Sequence, residues 1–100
     1  MSAKKKQPEA EALGELVIAI HQGGWVYVGY RSVDHAEHRI VLRRAHNIRR
    51  WGTSRGLGEL RGGPLPNTVL DDYGTVQCHP LQEIATLHDL DADAWAKVLT

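Results

Sequence analysis

Residues 47–60, NIRRWGTSRGLGEL, hold the strand, turn and short helix on which the predicted fold depends. The part that ends at Trp51 is typical of a strand, and Gly52 marks a turn directly after it. Thr53 and Ser54 are residue types that cap the N-terminus of a helix. Because two glycines interrupt the helix that follows, one to two turns are predicted. The chain is therefore expected to reverse direction just past Trp51.

The segments before this unit are predicted to be strands. Residues 16–20, LVIAI, form a short apolar and β-branched run, and glycines 23 and 24 end it in a turn. Residues 25–30 follow at once, so the two segments are expected to pair as a hairpin. A further strand is predicted over 39–43, after a polar turn and before the strand at 47–51.

The segments after the unit are predicted to be shorter. Residues 61–67 have the composition of a loop, and brief strands are expected over 68–70 and 75–78. Residues 83–87 alternate between apolar and polar side chains, which favours a strand. The tail, 91–99, begins with acids and carries an apolar stripe at helical spacing, which favours a short helix.

Together these elements predict a mainly β domain, an antiparallel meander or barrel of about six short strands with one short internal helix and a short C-terminal helix. Short links between strands favour antiparallel pairing. A small sheet buries a face either by curling into a barrel or against a second copy of the chain. Residues 1–12 combine a lysine run, Pro8 and alternating Glu and Ala, so we interpret them as a flexible arm. Residues 13–100 are expected to form a single barrel-like domain.

The formal net charge is zero, but positive and negative side chains are separated along the chain. Residues 31–61 hold eight arginines against three acids, a net charge of +5, whereas residues 62–100 hold six acids against one lysine, a net charge of −5. Two interpretations follow. The two segments neutralise each other across one folded surface, or the arginine-rich middle faces an anionic ligand or partner.

Cysteine content and hydropathy indicate a cytoplasmic protein without a membrane partner. Cys78 is the single cysteine, which excludes an intramolecular disulfide and a cysteine-based zinc site. The longest apolar run, residues 16–20, is far too short to span a membrane, and residues 7–15 are polar where a signal peptide needs an apolar stretch.

No residue pattern indicates catalysis or a metal. Residues 35–38, His-Ala-Glu-His, lie near His46, but the helical spacing of a zinc peptidase is absent, so surface histidines are expected. Cys78 and His79 are neighbours on a strand and point to opposite faces, which places the thiol on the core side. Neither an enzymatic activity nor a cofactor is therefore predicted.

The candidate ligand-binding residues are Arg49, Arg50, Trp51, Arg55 and Arg61, which cluster in a glycine-rich stretch. Glycines let backbone N–H groups approach an anion, and arginines beside an indole supply a pocket that stacks a planar ring and neutralises phosphate. The alternative is that the indole packs under the short helix and the arginines are solvated.

Nucleic-acid binding is a further alternative. It would use the same arginines, with Trp25, Tyr27 and Tyr30 as stacking surfaces on a small barrel. The overall neutrality of the chain argues against it, because affinity for a polyanion grows with each phosphate that is neutralised.

Residues 45–60 resemble a family of uncharacterised small proteins of bacteriophages and prophages. Members of that family have an apolar strand, the motif A-R-R-I-W-Y-W-x-G-A and a short L-x-x-L-A helix followed by glycine and proline. The positions of this chain that match the pattern are Ile48, Arg50, Trp51, Gly52, Leu57, Leu60 and Gly63. The resemblance extends over about residues 14–90.

The resemblance implies a phage origin, self-association and a location in the host cytoplasm or the virion. It also implies two roles, holding a host signal such as a nucleotide derivative between subunits, or serving as a minor part of the virion. The resulting prediction is a non-enzymatic, oligomeric protein that binds a small anionic, nucleotide-like ligand. A virion assembly protein that uses its N-terminal arm is the alternative.

Overall fold

Five antiparallel strands form one open sheet in the computed structural model, which describes residues 13–99. The strands are β1 (Glu15–His21), β2 (Val26–Asp34), β3 (Arg39–Arg50), β4 (Val69–Cys78) and β5 (Glu83–Leu87). Their order in the sheet is β4-β3-β2-β1-β5, so the first four form a meander and β5 returns to pair with β1. The mainly β, antiparallel prediction is confirmed. The predicted flexible arm, 1–12, lies outside the described residues.

Two predicted strand breaks are bulges inside longer strands. Arg44 has φ +53°, and the pairing of β3 with β4 shifts register between Leu42 and Ala45. Gly74, with φ +69°, lies opposite Ala45 on β4. A single residue at positive φ kinks a strand without ending it. The segments predicted on either side of each break are therefore continuous, and the sheet has five strands instead of about six.

One face of the sheet packs against the internal 3-10 helix and the C-terminal helix. Residues Leu57–Gly62 form a 3-10 helix whose Leu60 is buried, and α1 (Ala92–Ala96) contributes Trp95. Both side chains join a core with Ile18 and Val28 from the sheet. The internal and C-terminal helices are thus confirmed. Within residues 13–99, no helix is long and apolar enough to cross a membrane.

The internal helix starts later than predicted. Its N-cap is Gly56, which has no side chain to accept a hydrogen bond, so the prediction that Thr53 or Ser54 caps the helix is wrong. Ser54 instead donates to Glu59 through its backbone N–H and its hydroxyl, at 3.4 and 3.3 Å. The helix therefore adopts the tighter 3-10 form, as expected for a short segment rich in glycine.

The opposite face of the sheet is concave. Val17, Ala19 and Leu42 are buried on it. His21 of β1 contacts Cys78 of β4, with Nε2 and Sγ 4.0 Å apart, although two strands separate them in the sheet. Adjacent strands lie about 4.8 Å apart, so a flat sheet would not allow this contact. The sheet is curled but not closed, because β4 and β5 remain its two edges.

The predicted turn after Trp51 is confirmed. Gly52 has φ +69° and lies against the backbone of Asn67. The hydroxyl of Thr68 donates to the Trp51 carbonyl at 2.7 Å and accepts from the backbone N–H of Leu65 at 2.9 Å. The hydrogen bonds of Thr68 therefore hold the loop between β3 and β4 at the point where it leaves β3 and the point where it enters β4.

Candidate functional site

The five residues predicted to bind a ligand do not share one pocket. Arg49 lines one cleft, and Arg55 and Arg61 line another. Arg50 and Trp51 line neither of these two clefts, and both are exposed. The two arginines lie where the pairing of β3 with β4 shifts register, and of the two only Arg49 reaches a cleft. The cluster predicted from sequence is therefore split between two surfaces.

Trp51 does not pack under the 3-10 helix. Its side chain is 41% exposed, and its carbonyl holds Thr68. The indole under the helix belongs to Trp95, whose Nε1–H donates to the Leu60 carbonyl at 2.8 Å. The interpretation that Trp51 fills that position is wrong, because Trp95 occupies it and is fully buried.

The first cleft lies between the 3-10 helix and the end of β5, and we call it the arginine cleft. Its volume is about 730 Å³, within the range of small-molecule sites. The residues that line it are Arg55, Gly58, Glu59, Arg61, Thr86, Leu87, His88 and Asp89.

The charged side chains of the arginine cleft differ in their hydrogen bonds and ion pairs. Glu59 accepts both hydrogen bonds from Ser54. His88 lies 2.7 Å from both the Thr86 hydroxyl and the Glu15 carboxylate. Among residues 13–99, neither Arg55 nor Arg61 forms an ion pair or a side-chain hydrogen bond. Two guanidinium groups therefore keep their N–H donors available.

The second cleft lies between the turn before β2 and the paired strands β3 and β4, and we call it the aromatic cleft. Its volume is about 420 Å³. The residues that line it are Gly23, Gly24, Trp25, Asn47, Ile48, Arg49, Asp71 and Tyr73.

Trp25 and Tyr73, which line the aromatic cleft, belong to a cluster of rings around Tyr27. Tyr27 is buried at its centre, and its ring lies 6.4 Å from Trp25 at an interplanar angle of 9°. The rings of Tyr73 and His21 meet Tyr27 edge-on at 5.7 and 5.2 Å. Trp25 and Tyr73 remain 49% and 43% exposed. The alternation of Trp25 and Tyr27 indicates their shared face, whereas nothing local in the sequence links them to Tyr73.

A row of polar side chains crosses the aromatic cleft. Asn47 of β3 is paired with Asp71 of β4, and Arg49 follows at a register shift of β3 and lines the same cleft. The Nε of Arg49 donates to Oδ2 of Asp71 at 2.8 Å, and this hydrogen bond raises the pKa of Arg49. The only arginine of this cleft is therefore already paired with a carboxylate.

A third group of polar side chains lies on the concave face. Arg31 donates two hydrogen bonds to Glu83, at 2.9 and 2.7 Å, beside His21 and Cys78. Burial raises the pKa of Cys78 and lowers the pKa of His21. At pH 7 the pair is therefore a neutral thiol and a neutral imidazole, not the thiolate and imidazolium of an activated cysteine nucleophile.

Of the three histidines expected at the surface, His35 and His38 are exposed in the turn between β2 and β3, but His46 is buried. His21 is buried as well. The prediction that the Cys78 thiol faces the core is confirmed. Within residues 13–99, no group of three or more His, Cys, Asp or Glu side chains is placed to hold a metal ion.

Protonation of His21 is expected to destabilise the fold. Its pKa in the folded chain lies below the ordinary value of 6.5 because of burial. As pH falls below about 6.5, the unfolded chain takes up a proton that the folded chain does not. The free energy of unfolding should therefore decrease from pH 7.5 to 5.5, by at most about 1.4 kcal/mol per pH unit for this one group.

Urea unfolding of the wild type and His21→Gln at both pH values measures this contribution. The glutamine variant should lose less stability between pH 7.5 and 5.5 than the wild type. An equal or larger loss in the variant would show that His21 does not couple folding to protonation.

No family model, curated protein or solved structure matches this chain. The resemblance of residues 45–60 to small phage proteins therefore stays a prediction from the sequence. The function of the two clefts is accordingly inferred from their own side chains and charges.

Proposed function

We propose that this chain is a non-enzymatic binding domain for a small anionic, phosphate-bearing ligand, which it holds in the arginine cleft. The observation that carries the proposal is the pair Arg55 and Arg61, whose guanidinium groups line one cleft and have no acidic partner among residues 13–99. These are two of the five residues that the sequence predicted to bind an anion.

The chemistry of the two side chains suits a phosphate. A guanidinium presents N–H donors in a rigid fork that matches two phosphate oxygens, and charge-assisted hydrogen bonds are about twice as strong as neutral ones. Gly58 lies between the two arginines in sequence, and a Cβ at this position would meet nothing within 4 Å. A ligand can therefore approach the backbone there as well as the side chains.

The acids of the arginine cleft limit its affinity and set its geometry. Glu59 accepts two hydrogen bonds from Ser54 and, among residues 13–99, forms no ion pair with Arg55 or Arg61. Asp89 lines the cleft with φ +64° and forms no side-chain hydrogen bond to another described residue. A phosphate bound between the arginines is repelled by Asp89, so removal of this carboxylate should strengthen binding.

Calorimetric titration with inorganic phosphate, ADP-ribose and a cyclic dinucleotide tests the proposal. We expect saturable binding of at least one of them, weakened at least about tenfold by Arg55→Ala or Arg61→Ala and strengthened by Asp89→Asn. The matched control is Arg50→Ala, which removes an exposed arginine outside the cleft and should leave affinity unchanged. Absence of binding by every probe at millimolar concentration, or an equal loss in the control, would refute the proposal.

Self-association is part of the proposed function. The edge strand β5 and the turn before it carry Ile84 and Leu81, which are 64% and 77% exposed. An open sheet edge with apolar side chains is a surface that a second copy covers. Together with the phage resemblance, it supports an oligomer. A single monomeric species in sedimentation velocity across a wide concentration range would remove this part of the proposal.

A further inference from the structure

We infer that the aromatic cleft is a second binding site, and that its ligand is a neutral, hydroxyl-rich ring such as a pyranose sugar. This site is separate from the arginine cleft, and its residues are different. The inference therefore stands or falls independently of the proposed anionic ligand.

Trp25 supplies the surface on which such a ring packs. The indole is parallel to Tyr27 and remains half exposed, so it is held in orientation and still presents area to a ligand. One side of a pyranose ring carries C–H groups and packs against a flat aromatic surface, while its hydroxyls point outward. A large, rigid aromatic side chain provides this contact area with little loss of conformational entropy.

The backbone around Trp25 is shaped before any ligand binds. The backbone N–H of His21 donates to the Trp25 carbonyl at 2.8 Å and closes the hairpin. Gly23 has φ +84°, and a Cβ there would lie 3.3 Å from Cδ1 of the Trp25 indole. The glycine therefore allows the turn to pack closely beside the ring.

The polar row supplies partners for hydroxyl groups. Asn47 is only 8% exposed, yet it lines the cleft, and its Nδ2 donates to the Val26 carbonyl at 3.1 Å. Its Oδ1 accepts no hydrogen bond from the part of the chain that the structure describes. A buried polar atom without a partner is costly, and a hydroxyl, which both donates and accepts, can satisfy it.

The charge balance of the cleft selects the class of ligand. Arg49 is paired with Asp71, so the cleft carries no net charge from this pair. An anion would compete with the Asp71 carboxylate for the arginine, and a cation would compete with Arg49 for the carboxylate. Vicinal hydroxyls avoid this competition, because they donate to the remaining carboxylate oxygen and accept from the remaining guanidinium N–H groups.

The same arrangement disfavours nucleic acid on this surface. Tyr30, which was predicted to stack with Trp25 and Tyr27, is buried in the core on the other face of the sheet. In addition, the arginine of this cleft, Arg49, is already paired with Asp71, so it is not available to a phosphate backbone.

Tryptophan fluorescence of the full chain tests the inference. The probes are N-acetylglucosamine and the methyl glycosides of glucose, galactose and mannose. Each is titrated to about 50 mM, because single sugars bind proteins weakly, with Kd near 1–10 mM. We expect at least one probe to give a saturable change in the wild type and in Trp51→Phe. The fluorescence change should be absent in Trp25→Phe. This variant still contains the other exposed indole, that of Trp51, which serves as an internal control.

Two variants distinguish sugar binding in the aromatic cleft from binding elsewhere on the protein. Asp71→Asn should weaken sugar binding about tenfold or more, whereas Arg55→Ala should leave it unchanged. Thermal unfolding verifies that each variant is folded. No response to any saccharide, or a response that persists in Trp25→Phe, would overturn the inference. A response that depends on Trp25 and is given by AMP instead of sugars would also overturn it, because the ligand would then be an anionic nucleotide.

Discussion

Replacing Gly52 with alanine is expected to remove about 3–5 kcal/mol of stability, enough to unfold much of the population of a small domain. Gly52 has φ +69°, and a Cβ built there would lie 2.4 Å from the Asn67 carbonyl carbon and 2.6 Å from the Thr68 nitrogen. Both are backbone atoms of the loop that leads into β4, so they cannot rotate away as a side chain does. The clash adds to the strain of left-handed backbone.

The matched control is Gly58→Ala, a change of the same kind six residues away. A Cβ at Gly58 meets nothing within 4 Å, and its φ lies outside the left-handed range. Its effect on the free energy of unfolding should stay within about 1 kcal/mol. Urea unfolding followed by circular dichroism compares the two variants. Equal stabilities would show that the close approach of Gly52 to Asn67 is not required for the fold.

Truncation of Trp95 is expected to have a comparable effect. Its side chain is 0% exposed and links α1 to the 3-10 helix and the sheet. Loss of a buried indole costs about 3–5 kcal/mol through lost burial and the cavity that remains. The Leu60 carbonyl also loses the donor that lies 2.8 Å from it.

Trp95→Phe keeps the result interpretable if Trp95→Ala does not fold. Phenylalanine retains most of the apolar contact but leaves the Leu60 carbonyl without its donor, so a loss of about 1–3 kcal/mol is expected. Trp51→Phe, at an exposed position, should change stability by less than about 0.5 kcal/mol. Thermal and urea unfolding give these values. A larger loss in Trp51→Phe than in Trp95→Phe would contradict the assignment of Trp95 as the core indole.

The elements that the sequence predicts well are those set by local patterns. The apolar run 16–20 and its two terminal glycines specify β1 and the hairpin, and the spacing of apolar residues over 91–99 specifies α1. The bulges at Arg44 and Gly74 are different, because a polar residue or a glycine within a strand gives the same sequence signal as the end of a strand unless its pairing partner is known. The register across the sheet decides whether such a residue ends a strand or forms a bulge, and register is a tertiary property.

The candidate site was harder to predict, because nearness in sequence does not imply nearness in space. Arg49 and Arg50 are adjacent in β3, but of the two only Arg49 lines the aromatic cleft and pairs with Asp71. Trp25 and Tyr73 share one cleft although Trp25 directly precedes β2, Tyr73 belongs to β4, and β3 lies between these two strands. Of the five predicted residues, Arg55 and Arg61 do line one cleft, together with the end of β5, and whether that cleft binds an anion stays a prediction.

The pairing of His21 with Cys78 gave no signal in the sequence. The two residues are 57 positions apart, and the local pattern pointed instead to His79, whose ring accepts from the backbone N–H of Leu81 and caps the turn before β5. Only the curl of the sheet brings β1 and β4 close enough for contact. Curvature arises from the summed twist and bulges of all strands, which no single segment determines.

The arginine side-chain Nε–Hε resonances, followed by NMR during titration with the tightest-binding phosphate probe, test the central claim most directly. Binding in the arginine cleft predicts that the resonances of Arg55 and Arg61 shift together and saturate at one Kd, while those of Arg39 and Arg50 stay in place. Saturable shifts confined to Arg49, or small shifts spread over all the arginines, would contradict the proposal that Arg55 and Arg61 hold the anion.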